Sequence, residues 1–335
     1  MKRVLTFGEV LLRLSTKNKI ERSQHFEANY GGSEANVAVA LSNYGIDTAF
    51  VTKLPQNELG DTALQRLREF GVNVKNCIRG GERIGLYFLE EGYSVRPSKV
   101  IYDRKSSSIS QVIIEEFDLD ELFKDQNLFH ISGITLAISE ESFQLAKSLM
   151  KAAKERGLKV SFDFNYRSKL WEINQAKKKI EQVLNYVDII FAGHLDFTNI
   201  LGIEPDKPLE VTDILSYYQD LYSKVLDKYN VEYIVSSIRE VESASKNCYQ
   251  GILYDGNKIY TSQKYSIDIV DRVGTGDAFT GGFLYSYLMQ KDNEYKIEFA
   301  TASSAIKHTI AGDMIIAKVD EVENLFKVGS FKVQR

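Results

Sequence analysis

The stretch NLFHISGITLAISEESFQLAKSLMKAAKERGLKVSFDF, residues 127–164, carries one full beat of the rhythm that decides the fold. Residues 127–132 are a short apolar run of strand length. Over 140–156, apolar residues recur at Phe143, Ala146, Leu149, Met150 and Ala153, the spacing of one helix face. Gly157 supplies the left-handed residue that closes such a helix. Residues 159–164 read as a strand again. The alternation continues with a helix over 175–184, a strand over 187–192, a helix over 213–229 and a strand over 231–236. Strand and helix in regular succession imply right-handed crossovers and a mainly parallel sheet covered on both faces. The fold class is therefore α/β.

Two stretches, 11–30 and 83–104, break the rhythm with short extended runs and no helix inside them. Tyr87-Phe88-Leu89 and Lys99-Val100-Ile101-Tyr102 flank a turn containing Gly92 and read as a hairpin. A helical segment over 33–44 lies between the two stretches. The residues alone allow two arrangements: a small separate sheet that acts as a lid, or edge strands of the main sheet. Residues 254–260, YDGNKIY, carry a hairpin turn and add an antiparallel edge. There is no internal repeat.

Composition narrows the classes. With 335 residues, 44% hydrophobic and 26% charged, the chain is not largely disordered. Four prolines and no low-complexity tract argue against a flexible linker. A net charge of −4 lacks the basic excess of a nucleic-acid binder, and Lys177-Lys178-Lys179 reads as a solvated helix face. Cys77 and Cys248 cannot make a disulfide framework. His25, His130, His194 and His308 lie far apart and show no metal-ligand spacing. Both facts suit a reducing compartment, and the cytoplasm is expected. Glu9 and Arg13 interrupt the opening apolar stretch, so it reads as a first strand, not a signal peptide. No apolar run approaches the ~18 residues of a membrane span.

The chemistry concentrates in residues 267–290, IDIVDRVGTGDAFTGGFLYSYLMQ. A strand end leads into Gly274-Thr275-Gly276-Asp277. A helix follows with Phe279, Phe283, Leu284, Tyr287 and Leu288 as its apolar stripe. Two glycines around one residue, just before a helix, leave several backbone N–H groups free to point at one spot. The helix N-terminus adds partial positive charge, which favours phosphate oxygens. Asp277 fits two readings: an N-cap, or a carboxylate facing the anion site that takes a proton from an alcohol. The helix dipole should keep it ionised and hence a weak base, which phosphoryl transfer tolerates. A second segment, Gly31-Gly32-Ser33-Glu34-Ala35-Asn36-Val37-Ala38, enters a helix that closes at Gly45. Paired glycines permit close approach to a ligand, and the Asn36 amide can bond hydroxyls. The other reading is a plain glycine turn before a helix.

Together the two segments resemble the signatures of the ribokinase-like (PfkB) family of carbohydrate kinases. Residues 31–45 look like the first. Asp271, Gly274, Gly276, Asp277, Phe279, Gly281 and Gly282 match the second, and Leu54-Pro55 to Gly60-Asp61 is similar to a third stretch of the family. The resemblance spans nearly the whole chain. It implies a three-layer α/β/α core with a mainly parallel sheet, over 1–10, 33–82 and 105–335, and a small β-sheet lid over 11–32 and 83–104.

Within the family, the branch of 2-keto-3-deoxygluconate kinases is the nearest likeness. It is carried by Tyr87, by Tyr102-Asp103-Arg104, by Asp163-Phe164-Asn165-Tyr166-Arg167 with Leu170-Trp171, and by Gly312-Asp313. The likeness implies ATP-dependent phosphorylation of the C6 hydroxyl of a sugar acid. Asp277 would act as base, with Gly274, Thr275 and Gly276 as anion hole. Gly32, Ser33, Asn36, Tyr87, Tyr102, Arg104, Arg167 and Asp313 would bind the sugar acid. Asn165, Ser237, Arg239, Gly274, Gly276 and His308 would meet ATP. Arginine suits a carboxylate because it grips it with two parallel bonds, which points to Arg104 and Arg167. Arg13 stands where neutral-sugar kinases of the family often carry an aspartate, which weakens that reading. A fructokinase-type kinase and a non-catalytic sugar-binding regulator stay open as alternatives. A dimer or larger homo-oligomer through the lid is also implied.

The pattern departs from the family in three places. Asp271-Arg272 replaces the usual Asp-Thr. Residues 236–241 contain no glycine where many members have a glycine turn near the nucleotide. An Asn-x-x-Glu motif linked to Mg²⁺ survives only as Asp196 in Gly193-His194-Leu195-Asp196, so Mg²⁺ is expected to ride on ATP phosphates and water. For His308, on the helix expected to flank adenine, a plain helix-surface histidine is the other reading.

Overall fold

Val4, Leu5, Thr6 and Phe7 of the first strand are all fully buried, so both faces of that strand are covered. Helices on both sides of a parallel sheet produce that pattern. The computed structural model describes residues 2–206 and 213–327. Its strands are β1 (Arg3–Phe7), β2 (Leu11–Thr16), β3 (Glu27–Gly31), β4 (Asp47–Val51), β5 (Lys53–Leu54), β6 (Ile78–Arg79), β7 (Gly85–Glu90) and β8 (Lys99–Asp103). They continue with β9 (Leu128–Ser132), β10 (Lys159–Asp163), β11 (Ile189–Phe191), β12 (Tyr233–Ser243), β13 (Lys246–Tyr254), β14 (Ile259–Thr261) and β15 (Tyr265–Asp268). The helices are α1 (Ser33–Asn43), α2 (Glu58–Glu69), α3 (Leu119–Phe123), α4 (Gly133–Ile138) and α5 (Glu140–Glu155). They end with α6 (Ile173–Glu181), α7 (Ile214–Lys228), α8 (Thr275–Leu288), α9 (Asn293–His308) and α10 (Val319–Lys327).

Among the described residues the main sheet runs β14-β13-β12-β11-β10-β9-β1-β4, with β15 also on β13. From β4 to β12 the pairing is parallel; β13 turns it antiparallel. Alternate side chains feed two cores. Leu5, Phe129, Val160 and Phe162 pack on one face with residues of α5, α6 and α7. Val4, Leu128, Ile189 and Val235 pack on the other with α1, α8 and α9. The result is the three-layer α/β/α core of the ribokinase-like fold.

Two elements differ from the sequence expectation. The strand over 231–236 continues as β12 to Ser243 and folds back on β13, so the stretch without glycine is extended strand where a turn was the family's pattern. Helix α8 is not striped: nearly every side of it is buried. Its paired glycines explain this, because a β-carbon at Gly281 would lie 2.6 Å from Ala40 of α1, and one at Gly282 2.6 Å from Ser303 of α9. Helices α2, α3, α4 and α10 have no counterpart in the sequence reading.

The two stretches that break the rhythm form a sheet of their own, β3-β2-β7-β8. Its cross-strand partners Asn29, Arg13, Tyr87 and Tyr102 make one row. Leu11, Tyr87 and Leu89 pack there with Tyr102 and Val273.

Candidate functional site

A cavity of about 560 Å³ opens between the small sheet and the main sheet. It lies beyond the carboxyl ends of the parallel strands, where open α/β sheets place ligands: Glu9, Asp163 and Ala192 line it at or just past strand ends, and Ser236 lines it just past the last parallel pair of β12.

At its floor is the start of α8. Gly274 is the N-cap residue, with φ of 76°, and no side chain caps the helix. A β-carbon there would collide with the carbonyl oxygen of Asp313, so both the backbone angle and the space require glycine. The first N–H groups of α8 have no partner within the helix and border the cavity with Gly274, Thr275 and Gly276.

Asp277 is not an N-cap. Its carboxylate turns across to α1: Ser33 Oγ donates to Oδ1 at 2.8 Å and Asn36 Nδ2 to Oδ2 at 2.7 Å. Burial pushes its pKa up, against the lowering expected of a helix start. The bonds from Asn36 and Ser33, and then the charge of Arg167, draw it back. Ser33 and Asn36, read as sugar ligands, therefore hold the Asp277 carboxylate in this state. Asn165 joins them, donating from Nδ2 to Ser33 Oγ at 2.9 Å. Asn165 has φ of 39°, a backbone region that asparagine tolerates.

On the small sheet, Tyr87 and Tyr102 sit with ring centroids 5.9 Å apart. Tyr87 Oη donates to Asp313 Oδ1 at 2.7 Å. Asp313 lines the cavity, yet its other oxygen is engaged by Arg13 at 3.2 Å. Arg104 also lines the cavity, but it is ion-paired with buried Glu9, which accepts from Ser107 Oγ as well. Arg104 is thus already neutralised. Arg167 is exposed on the wall and makes no ion pair among the described residues; its NH1 donates only to the Tyr166 carbonyl, at 3.3 Å. Arg13 is 1% exposed and does not line the cavity; it faces Asp271 and Asp313.

Ser237 and Arg239 stand on β12 at the opposite wall, with Arg239 over the Tyr249 ring at 5.6 Å. Arg272 borders the same wall and is held through Nη2 on the Ala244 carbonyl at 3.1 Å. His308 needs correction. Its ring is 0% exposed, bonds the Ser304 carbonyl and packs against Tyr249, so it is neither a cavity residue nor a helix-surface histidine. Its own carbonyl instead accepts from Val270 and Asp271, anchoring the loop before α8. Burial pushes its pKa down to about 4. Asp196 accepts from Gly193 N at 2.8 Å, and burial pushes it up to about 6. No group of three metal-ligating side chains occurs among the described residues.

Sequence reasoning missed Glu9, Glu34 and Asp163 as members of the site. Glu34 is buried and accepts from Ser132 N and Thr135 Oγ1. Asp163 is pushed well up, first by burial and then by the charge of Asp277. Asp163 and Glu34 both stood inside quoted motifs, so attention to every acid within a motif would have found them.

The profile of the pfkB family carbohydrate kinases matches residues 1–318. The chain belongs to that family. As a carbohydrate kinase it uses ATP as phosphate donor and a sugar-type hydroxyl as acceptor. The kinase is 32% identical to the 2-dehydro-3-deoxygalactonokinase of Haloferax volcanii over 334 residues, 99% of each chain. It is 27% identical to the 2-dehydro-3-deoxygluconokinase of Thermoproteus tenax over 331 residues, 97% of this chain and 94% of that one. The crystal structure of 2-dehydro-3-deoxygluconokinase from Thermotoga maritima superposes with a TM-score of 0.93 and 41% identity, covering 97% of this chain and 99% of that one. No helix among the described residues is long and apolar enough to cross a membrane.

Proposed function

We propose that this kinase phosphorylates the C6 hydroxyl of 2-keto-3-deoxygluconate (2-dehydro-3-deoxygluconate) or its galacto epimer, with MgATP as co-substrate. The observation that carries the reading is Arg167: a cation on the cavity wall, near the Asp277 carboxylate, without an ion-pair partner among the described residues. A sugar acid supplies the missing carboxylate. The relatives above carry the names of both epimers.

In the proposed mechanism, Asp277 holds the hydroxyl by hydrogen bond and accepts its proton. The hydroxyl oxygen forms its bond to the γ-phosphorus as the bond to the ADP oxygen breaks. Amides of Gly274, Thr275 and Gly276 take up the charge on the transferring group. Asn165, Ser237 and Arg239 meet the nucleotide; Mg²⁺ bound with it would neutralise phosphate charge, and Asp196 is the acid on this wall that could help hold it. The small sheet acts as a lid that excludes water. Tyr93, Val95 and Ile101 on its turn and outer strand are exposed and give a second copy of the chain a surface to pack on. Two unpaired cysteines suit the cytoplasm.

The test is a panel at saturating MgATP: both keto-deoxy acids against fructose and other neutral hexoses. Turnover of the acids alone is expected. Preference for fructose would make this a neutral-sugar kinase, and no turnover on any of them would favour a binding protein that kept the fold.

A further inference from the structure

Arg13 is one of the largest side chains closed off from solvent, and it belongs to neither wall of the cavity. It stands on β2 beside Tyr87 in the cross-strand row of the small sheet. From there its guanidinium crosses to the core. Nη2 donates to Asp271 Oδ2 at 2.8 Å, and Nε lies 3.2 Å from Asp313 Oδ2.

The two carboxylates belong to the two core segments that frame the reacting atoms. Asp271 opens the anion-hole loop: Oδ1 accepts from Val273 N at 2.9 Å, and Oδ2 also accepts from Gly312 N at 3.1 Å. Asp313 is braced by Tyr87 from the neighbouring lid strand, and its carbonyl abuts Gly274 of the anion hole. One side chain thus ties the sheet under the sugar to the loop under the phosphate. A buried arginine is costly unless its charge is matched, so β2 cannot drift from either carboxylate without exposing that cost. The planar fork donates to Asp271 while its charge faces Asp313, so one side chain meets carboxylates of two segments with a fixed geometry that a lysine's point charge lacks.

We propose that Arg13 is a positioning residue that fixes the small sheet against the anion-hole loop, so that a sugar held by the sheet is presented in line with the phosphoryl group. It touches neither substrate. The identity of the sugar rests on the reading above; the bridge itself does not.

The test compares wild type with Arg13→Lys, Arg13→Met and Asp271→Asn, each first checked for folding by circular dichroism and thermal melting. Arg13→Lys should fold and lose roughly tenfold in kcat, since misplacing reacting groups by about 1 Å can cost up to about 10²-fold. Its KM for MgATP should stay within about twofold, while a larger share of ATP is lost to water instead of sugar. Asp271→Asn should reproduce that pattern from the other side of the bridge, and Arg13→Met should exceed it. Hydrogen exchange without sugar should show residues 271–277 exchanging faster in Arg13→Lys. A folded Arg13→Lys with wild-type kcat and wild-type exchange in that loop overturns the proposal and leaves Arg13 a packing residue. Because exchange needs no sugar, failure of wild type on keto-deoxy acids would sink the substrate reading and still leave the bridge tested.

Discussion

The two ends of the cavity are built by opposite means. The end proposed for the phosphate is backbone: a glycine at positive φ, a helix start and amides that point where the chain dictates. The end proposed for the sugar is side chains: Tyr87, Tyr102, Arg104 and Arg167, of which Tyr87 spends its hydroxyl on Asp313 and Arg104 its charge on Glu9 before any ligand arrives. A backbone site is encoded in a few contiguous residues. A side-chain site is encoded in pairings between strands, and a motif names its members without saying which stay free.

The contrast can be broken most sharply at Asp277. Asp277→Asn should lower kcat by about 10²–10⁴-fold, the usual worth of a positioned general base, with KM values little changed. Its folded pKa is raised, so its contribution to stability is present below the ordinary aspartate range and lost as pH rises through the folded value. Because burial disfavours its charged form, the amide variant should melt no lower than wild type. Steady-state kinetics and calorimetry check both halves; a kcat within tenfold of wild type would remove Asp277 from the chemistry.

Next come the glycines. Gly274→Ala meets both a forbidden φ and the Asp313 carbonyl, and should lose turnover by about 10²–10³-fold together with thermal stability. Gly276→Ala meets no atom within 4 Å and should keep its melting temperature. Equal melting losses at the two positions would contradict a site shaped by the Gly274 backbone.

At the sugar end the arginines should part company. Arg167→Ala should raise KM for the sugar acid by about 10–100-fold, the worth of roughly 1.5–3 kcal/mol for a charged hydrogen bond, without lowering stability. Arg104→Ala strands Glu9 in the interior and should cost about 3–5 kcal/mol of stability. The two ends also meet electrostatically. The acid limb of kcat/KM should lie above the ordinary aspartate range because Asp277 is raised by burial, and removing Arg167 should move it higher still. The smallest effect belongs to His308: replacing its buried ring with glutamine should leave KM for MgATP within about twofold, whatever it does to melting.

Periodicity exposed the alternating core, because apolar spacing reports burial directly, and residues 127–164 repeat almost unchanged as β9, α5 and β10. The anion hole was legible for the same local reason. Arg104 was legible as a residue and not as a state, since its partner Glu9 lies 95 positions away. Arg13 read as a substrate-side substitution because nothing in its neighbourhood announces Asp271 or Asp313. His308 failed because helix α9 is buried on most sides, so a polar residue on it need not face outward.

Helix α8 is wedged between α1 and α9 by Gly281 and Gly282, with no room for even a methyl group at either contact. Its amino end therefore cannot wander without repacking three helices. New sugars can be accommodated over evolutionary time by exchanging residues on the small sheet while the transfer apparatus is inherited unaltered, and adaptation should be sought in strands, seldom in that helix.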